Sequence, residues 1–191
     1  MRKAYEYSHL GGAEILRERY PLLDQEIDEV IGAVKPLEKT KISMEKAKKG
    51  RALWSPKLMN RLFEAEFRRR GWNSLKSRFV IEIEGLERIK GAFKQINYVK
   101  EKVMAEVQFG KYAFMLYDLA KFQHFFLEGK VDVCVEIVPC RALRREMSSG
   151  VSYGEMLIHN LKQLRGAFPT VPTKVMLIDV DVEKSKQKDR S

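Results

Sequence analysis

The run VDVCVEIV at residues 131–138, closed by Pro139, constrains the fold more than any other segment. It is mostly apolar and rich in Val and Ile, yet far too short to cross a membrane. Such a run predicts a central strand covered on both faces, as in parallel sheets. Two further strand signals bracket it. Val103, Ala105 and Val107 alternate with Met104, Glu106 and Gln108, and KVMLIDVD fills 174–181. Helical stretches from about Tyr112 to Leu127 and from about Tyr153 to Leu164 separate the three. A β-α-β-α-β order of this kind predicts an α/β fold whose sheet is at least partly parallel.

The first half reads less regularly. Residues 12–34 predict helix, with Pro21 opening a second segment and Leu23, Ile27, Val30, Ile31 and Val34 on one face. A basic stretch from Lys35 to Arg51 contains Pro36 and Gly50 and predicts a loop or a short, weak helix. Ser55 and Pro56 supply an N-cap and a first-turn proline for a helix that would bury Leu58, Leu62, Phe63 and Phe67 and stop at Gly71. Phe79, Ile81 and Ile83 alternate as in a half-buried strand. With no repeat or low-complexity linker in 191 residues, we expect one domain over 1–191, with a charged tail at 183–191 that frays.

Composition narrows the class. The N-terminal segment MRKAYEYSHLGG lacks the apolar core of a signal peptide. Cys134 and Cys140 form neither a zinc spacing nor a disulfide framework, which fits a reducing cytoplasm, and no membrane association is expected. Lysine and arginine number 36 against 26 acidic residues, a formal charge of +10. Such an excess favours a polyanionic partner, because each phosphate neutralised releases condensed counterions. A basic surface with no such partner is nearly as consistent with composition alone. The charge is concentrated in Lys35–Arg51, where Lys46, Lys48, Lys49 and Arg51 stand out, and in Arg68, Arg69 and Arg70.

Strand periodicity puts Glu106 and Gln108 on one face. A carboxylate and an amide projecting together can ligate Mg²⁺ and position a water, since that ion prefers oxygen ligands. On spacing alone, both side chains pointing to solvent explains the pattern at least as well. His9, His124 and His159 are scattered and predict packing or surface roles. Ser148, Ser149, Gly150 and Ser152 form either a phosphate- or base-contacting loop or a helix cap. No Walker, Rossmann or nucleophile-elbow motif is present. Cys134 lies mid-strand and reads as core.

The stretch INYVKEKVMAEVQFGKYAFMLYDL (96–119) resembles the BglII/BstYI family of type II restriction endonucleases. YSHLGG, SPKLMN…RRRGW, VDVCVEIVP and MSSGVSYGE extend that likeness over most of the chain. The resemblance implies a restriction-endonuclease-like core, a mixed β-sheet flanked by helices. It also implies a homodimer that hydrolyses phosphodiesters of duplex DNA with Mg²⁺ at GATC-centred palindromes. By position, Glu106 would be a metal-binding carboxylate and Gln108 would hold the attacking water. Lys111 and Ser149, with Ser148 beside it, would face bases, while Lys46, Lys48, Lys49 and Arg51 would contact phosphates.

One position departs from the family. Asn97 stands where the second metal-binding, catalytic aspartate belongs. Three explanations stand: an engineered inactive variant, a naturally weakened or lost nuclease, or a shifted register that recruits another acid such as Glu101. The sequence therefore supports a Mg²⁺-dependent endonuclease impaired at Asn97. The alternative is a sequence-specific DNA-binding protein on the same fold that has lost cleavage. An unrelated basic nucleic-acid-binding module, with a coincidental E-x-Q, is a weaker third.

Overall fold

In the computed structural model, which describes residues 1–181, the apolar run at 131–139 is the centre of a sheet. Every residue of strand β7 (Val133–Pro139) is buried. It pairs in parallel with β6 (Val103–Val107) on one side and β8 (Thr173–Asp179) on the other. The crossovers are the helices α4 (Tyr112–Leu127) and α6 (Gly154–Leu164), preceded by a short α5 (Arg141–Arg145). The expected β-α-β-α-β succession is thus present.

Antiparallel strands extend the sheet at both edges. β1 (Arg2–His9) pairs with β8, and β5 (Ile89–Lys100) pairs with β6 and with β4 (Asn73–Ile81). The order is β1-β8-β7-β6-β5-β4, a mixed six-stranded sheet flanked by helices. The alternative in which Glu106 points to solvent is corrected here: β6 is buried on both faces. Its alternation misleads because Glu106 is itself a buried residue.

The remaining helices follow their local signals. α1 (Gly12–Arg19) and α2 (Pro21–Ala33) break at Pro21, and α2 buries Leu23, Ile27, Val30 and Ile31. Gly12 allows α1 to close on β8, since a Cβ there would lie 2.4 Å from the Thr173 backbone. In α3 (Pro56–Arg69) the Ser55 hydroxyl accepts from the Leu58 N–H at 3.3 Å, an N-cap that satisfies an otherwise orphaned donor. Its buried residues are Met59, Phe63 and Phe67, whereas Leu58 and Leu62 are only half-buried. The stripe is therefore rotated by one position from the expected one.

The basic stretch is mostly loop, with a 3₁₀ turn at Lys46–Lys48 and a two-residue ladder between β2 (Lys41–Ile42) and β3 (Ala52–Leu53). The expected charged tail at 183–191 lies outside the described residues. Trp72, Phe63, Phe67, Phe122 and Phe125 are the largest apolar side chains of the core. At the β1–β8 edge the buried Lys174 ammonium is held by Asp24 at 2.6 Å and Glu6 at 3.0 Å, tying the sheet to α2.

Candidate active site

The β5–β6 register decides which side chains meet. Tyr98 lies opposite Ala105 and Val99 opposite Met104, so the next position sets Asn97 opposite Glu106. Nine residues apart in sequence, the two are neighbours across the ladder. The Asn97 side-chain amide donates to Glu106 Oε2 at 2.8 Å, and the Asn97 backbone N–H donates to Oε1 at 3.3 Å. Glu101, by contrast, sits exposed in the turn between the strands with φ 53°, away from this pair. The register runs without a shift from Lys100 to Tyr98, so no slip brings Glu101 into the place of Asn97.

Helix α4 supplies what the sequence reading missed. Lys121 reaches inward, its Nζ 2.5 Å from Glu106 Oε1 and 2.7 Å from Asp118 Oδ1. Asp118 also accepts from Gln108 Nε2 at 2.7 Å, which fixes the amide of Gln108 just beyond the end of β6. Gly110 leaves room for that amide, because a Cβ there would lie 2.6 Å from Gln108 Oε1. On β7, Glu136 is the parallel partner of Glu106; it is wholly buried and neither carboxyl oxygen has a hydrogen-bond partner. A signal for α4 was present: Asp118 and Lys121 are two charges at helical spacing in a largely apolar helix. Glu136 gave the same signal, as an acid within an apolar strand.

Electrostatics follow from burial. Glu106 is 2 % exposed, and desolvation pushes its carboxyl up to about 7 even though the Lys121 ammonium pulls it down. Burial and the neighbouring carboxylates Asp118 and Glu106 hold Glu136 well above the ordinary glutamate value. For Lys121, burial acts downward, but Glu106 and Asp118 together outweigh it and raise the ammonium above the usual lysine range. The lysine is therefore a firmly charged cation set among carboxyl groups.

This arrangement does not suit Mg²⁺ as it stands. That ion needs free oxygen ligands at near-octahedral geometry. Glu106 already gives one oxygen to Lys121 and the other to the Asn97 amide. Among the described residues no group of three or more His, Cys, Asp or Glu side chains is placed to hold a metal ion. Beside Asn97 opens a cleft of about 190 Å³ lined by Asn60, Glu64, Arg68, Gln95, Asn97, Tyr98 and Val107.

The other sequence candidates gather on one rim, beyond the C-terminal ends of β6 and β7. The Ser152 N–H donates to the Gly110 carbonyl at 2.8 Å, which joins the loop of Ser148 and Ser149 to the segment carrying Lys111. Lys111 is exposed at the N-cap of α4. Ser148 is buried and its hydroxyl accepts from Lys41, whereas Ser149 is exposed with its backbone N–H on Glu45 at 2.9 Å. The basic stretch packs on this loop. Lys48 donates to the carbonyls of Arg145 and Met147, and Arg51 pairs with Glu146 at 3.4 Å. Lys46 and Lys49 remain exposed. Arg69 and Arg70 are engaged by Glu66, while Arg68 lines the cleft. His9 is buried against the Pro169 carbonyl at 2.7 Å, and Cys134 is core.

The same mixed sheet flanked by helices is found in solved restriction endonuclease structures. The crystal structure of restriction endonuclease BglII complexed with a DNA 16-mer superposes with TM-score 0.72 at 21% identity, covering 94% of this chain and 78% of that one. Free BglII superposes with TM-score 0.65 at 18% identity, covering 94% and 81%. Residues 4–178 match the family model described as restriction endonuclease BglII/BglIII, and the chain belongs to that family of site-specific nucleases. No curated protein matches the chain. Among the described residues no helix is long and apolar enough to cross a membrane.

Proposed function

We propose that the chain is a cytoplasmic type II restriction endonuclease of one domain that binds GATC-centred palindromes in duplex DNA as a homodimer. Its cleavage is impaired at Asn97. The order and spacing of YSHLGG, VDVCVEIVP and MSSGVSYGE resemble BstYI within the family. Palindromes suit a two-fold dimer, which applies one set of contacts twice. In this reading the exposed Lys111 and Ser149 read bases and the exposed Lys46 and Lys49 hold phosphates. The buried Ser148 and the engaged Lys48 and Arg51, expected from sequence to contact DNA, instead brace the loop that presents Ser149. Gln108, steadied by Asp118, orients a water. Mg²⁺ would belong to Glu106 and a carboxylate at position 97, where it would supply Lewis-acid chemistry.

The observation that carries the proposal is the contact from the Asn97 amide to Glu106. At the register position where a second acid would face Glu106, an amide donates to it instead. A neutral side chain there lowers the negative charge offered to a cation without adding charge that repels DNA. A second reading, a DNA-binding protein on this fold that no longer cuts, is favoured by the chain's own nitrogens meeting both Glu106 oxygens.

One experiment separates the two. A band-shift on GATC-containing and scrambled duplexes is run beside plasmid digestion with Mg²⁺. The chain should shift the GATC duplex and cut poorly, and Asn97→Asp should restore part of the Mg²⁺-dependent cleavage. Efficient cutting by the unaltered chain overturns the role given to Asn97. Equal affinity for the scrambled duplex overturns the specificity.

A further inference from the structure

The buried ion cluster behind Asn97 suggests why this site takes its particular form. Glu106, Asp118 and Glu136 come from β6, α4 and β7, and one ammonium, Lys121, stands among them. Lys121 is 8 % exposed and bridges Glu106 and Asp118 at 2.5 and 2.7 Å. An ammonium so placed satisfies the two carboxylates as a divalent ion would, with one charge in place of two. Such a contact is not a surface ion pair that solvent exchanges freely. Removing one partner of a buried pair leaves an uncompensated charge, and that makes it persistent. Asn97 completes the saturation by donating to the remaining Glu106 oxygen.

We propose that the Lys121 ammonium is the resident counter-ion of this site, occupying the electrostatic place of a divalent cation and suppressing its binding. The proposal deepens the functional reading, since it rests on Glu106 and position 97 being the metal positions. Lys121 approaches from the helix rather than from β6, where the E-x-Q sequence has no cation. A cation arriving from the cleft would have to detach Lys121 from Glu106, and the displaced ammonium would keep only Asp118. Two obstacles therefore add: a missing carboxylate at 97 and a competing positive charge at 121. Restoring the aspartate removes only the first.

Metal binding without DNA tests this directly. Mn²⁺ is titrated into the full chain, and free Mn²⁺ is read by electron paramagnetic resonance. The proteins are the unaltered chain, Asn97→Asp, Asn97→Asp with Lys121→Met, and Asn97→Asp with Lys121→Arg. We expect Lys121→Met to tighten Mn²⁺ binding by about tenfold or more over Asn97→Asp alone, the effect of removing a nearby like charge. Lys121→Arg, which keeps the charge, should stay near Asn97→Asp. Lys121→Gln replaces Lys121→Met if that variant does not fold, as judged by circular dichroism. Equal Mn²⁺ affinity with and without the ammonium, even with a lower melting temperature, overturns the proposal and leaves Lys121 a structural ion. Weaker binding on its removal also overturns it. Failure of the GATC band-shift would sink the DNA-recognition reading but leave this metal result standing.

Discussion

Glu136 has a carboxyl with no exposure and, among the described residues, no hydrogen-bond partner for either oxygen, beside the almost wholly buried Glu106. A carboxyl in such a place prefers to stay protonated. Its folded-state pKa lies above its unfolded value, so the native chain holds a proton that the unfolded chain releases. Stability attributable to these groups is thus present at low pH and lost as pH rises; for Glu106 the loss spans the ordinary 4.5 to about 7. Glu136→Gln keeps the shape and removes the ionisation. It should raise unfolding free energy at pH 8 by about 1–3 kcal/mol, the scale of an uncompensated buried polar group, and change little at pH 5. Urea melts of both proteins at the two pH values check this, and parallel pH slopes would refute it. The pairing of Asn97 with Glu106 was legible in sequence because a family pattern fixed the nine-residue spacing. Asp118, Lys121 and Glu136 stand out singly as charges in apolar elements, but their meeting was not legible, because it needs α4 and β7 to pack beside β6. No local spacing encodes that convergence.

At the scale of elements, α3 supports the strand that carries Asn97. Phe67 stacks on Tyr98 with ring centroids 4.1 Å apart and meets Trp72 edge-on at 5.3 Å. Losing that ring would leave a cavity directly under β5. Phe67→Ala should cost about 3–5 kcal/mol, whereas Ser55→Ala, which removes only the N-cap, should cost about 1 kcal/mol. Denaturant unfolding of the two variants measures both, and costs of similar size would contradict this placement of the ring. The elements that sequence could announce were those with strong internal periodicity or caps: α2, α3, β6, α4, β7, α6 and β8. β1 escaped notice because RKAYEYSH forms an edge strand, mostly exposed, which needs no apolar face. β5 escaped for a related reason. Most of its residues lie at least partly outside the core, and only Ile96 and Tyr98 are buried.

For the molecule as a whole, the positive charge is unevenly available. Lys48 and Arg51 are already committed to the loop that carries Ser148 and Ser149, while Lys46 and Lys49 are exposed. The rim joining Lys111 to that loop is closed by the Ser152–Gly110 hydrogen bond, which brings candidate base readers from two strand ends together. Sequence alone could list these cations but could not separate them, because their difference lies in partners about 100 residues away. In the proposed complex this division predicts three distinct behaviours. Lys49→Ala should weaken binding to every duplex alike and lower the slope of log affinity against log salt by about one phosphate's worth. Lys48→Ala should instead loosen the Ser148 loop, lowering melting temperature and cognate affinity with a smaller change in salt slope. Lys111→Ala should cost about 1–3 kcal/mol on the GATC duplex and little on a scrambled one, the mark of a base contact. Fluorescence anisotropy on both duplexes across a salt series resolves all three, with light scattering reporting whether the bound species is a dimer. If Lys111→Ala weakens both duplexes equally, Lys111 is a phosphate contact and the rim is not the surface that reads sequence.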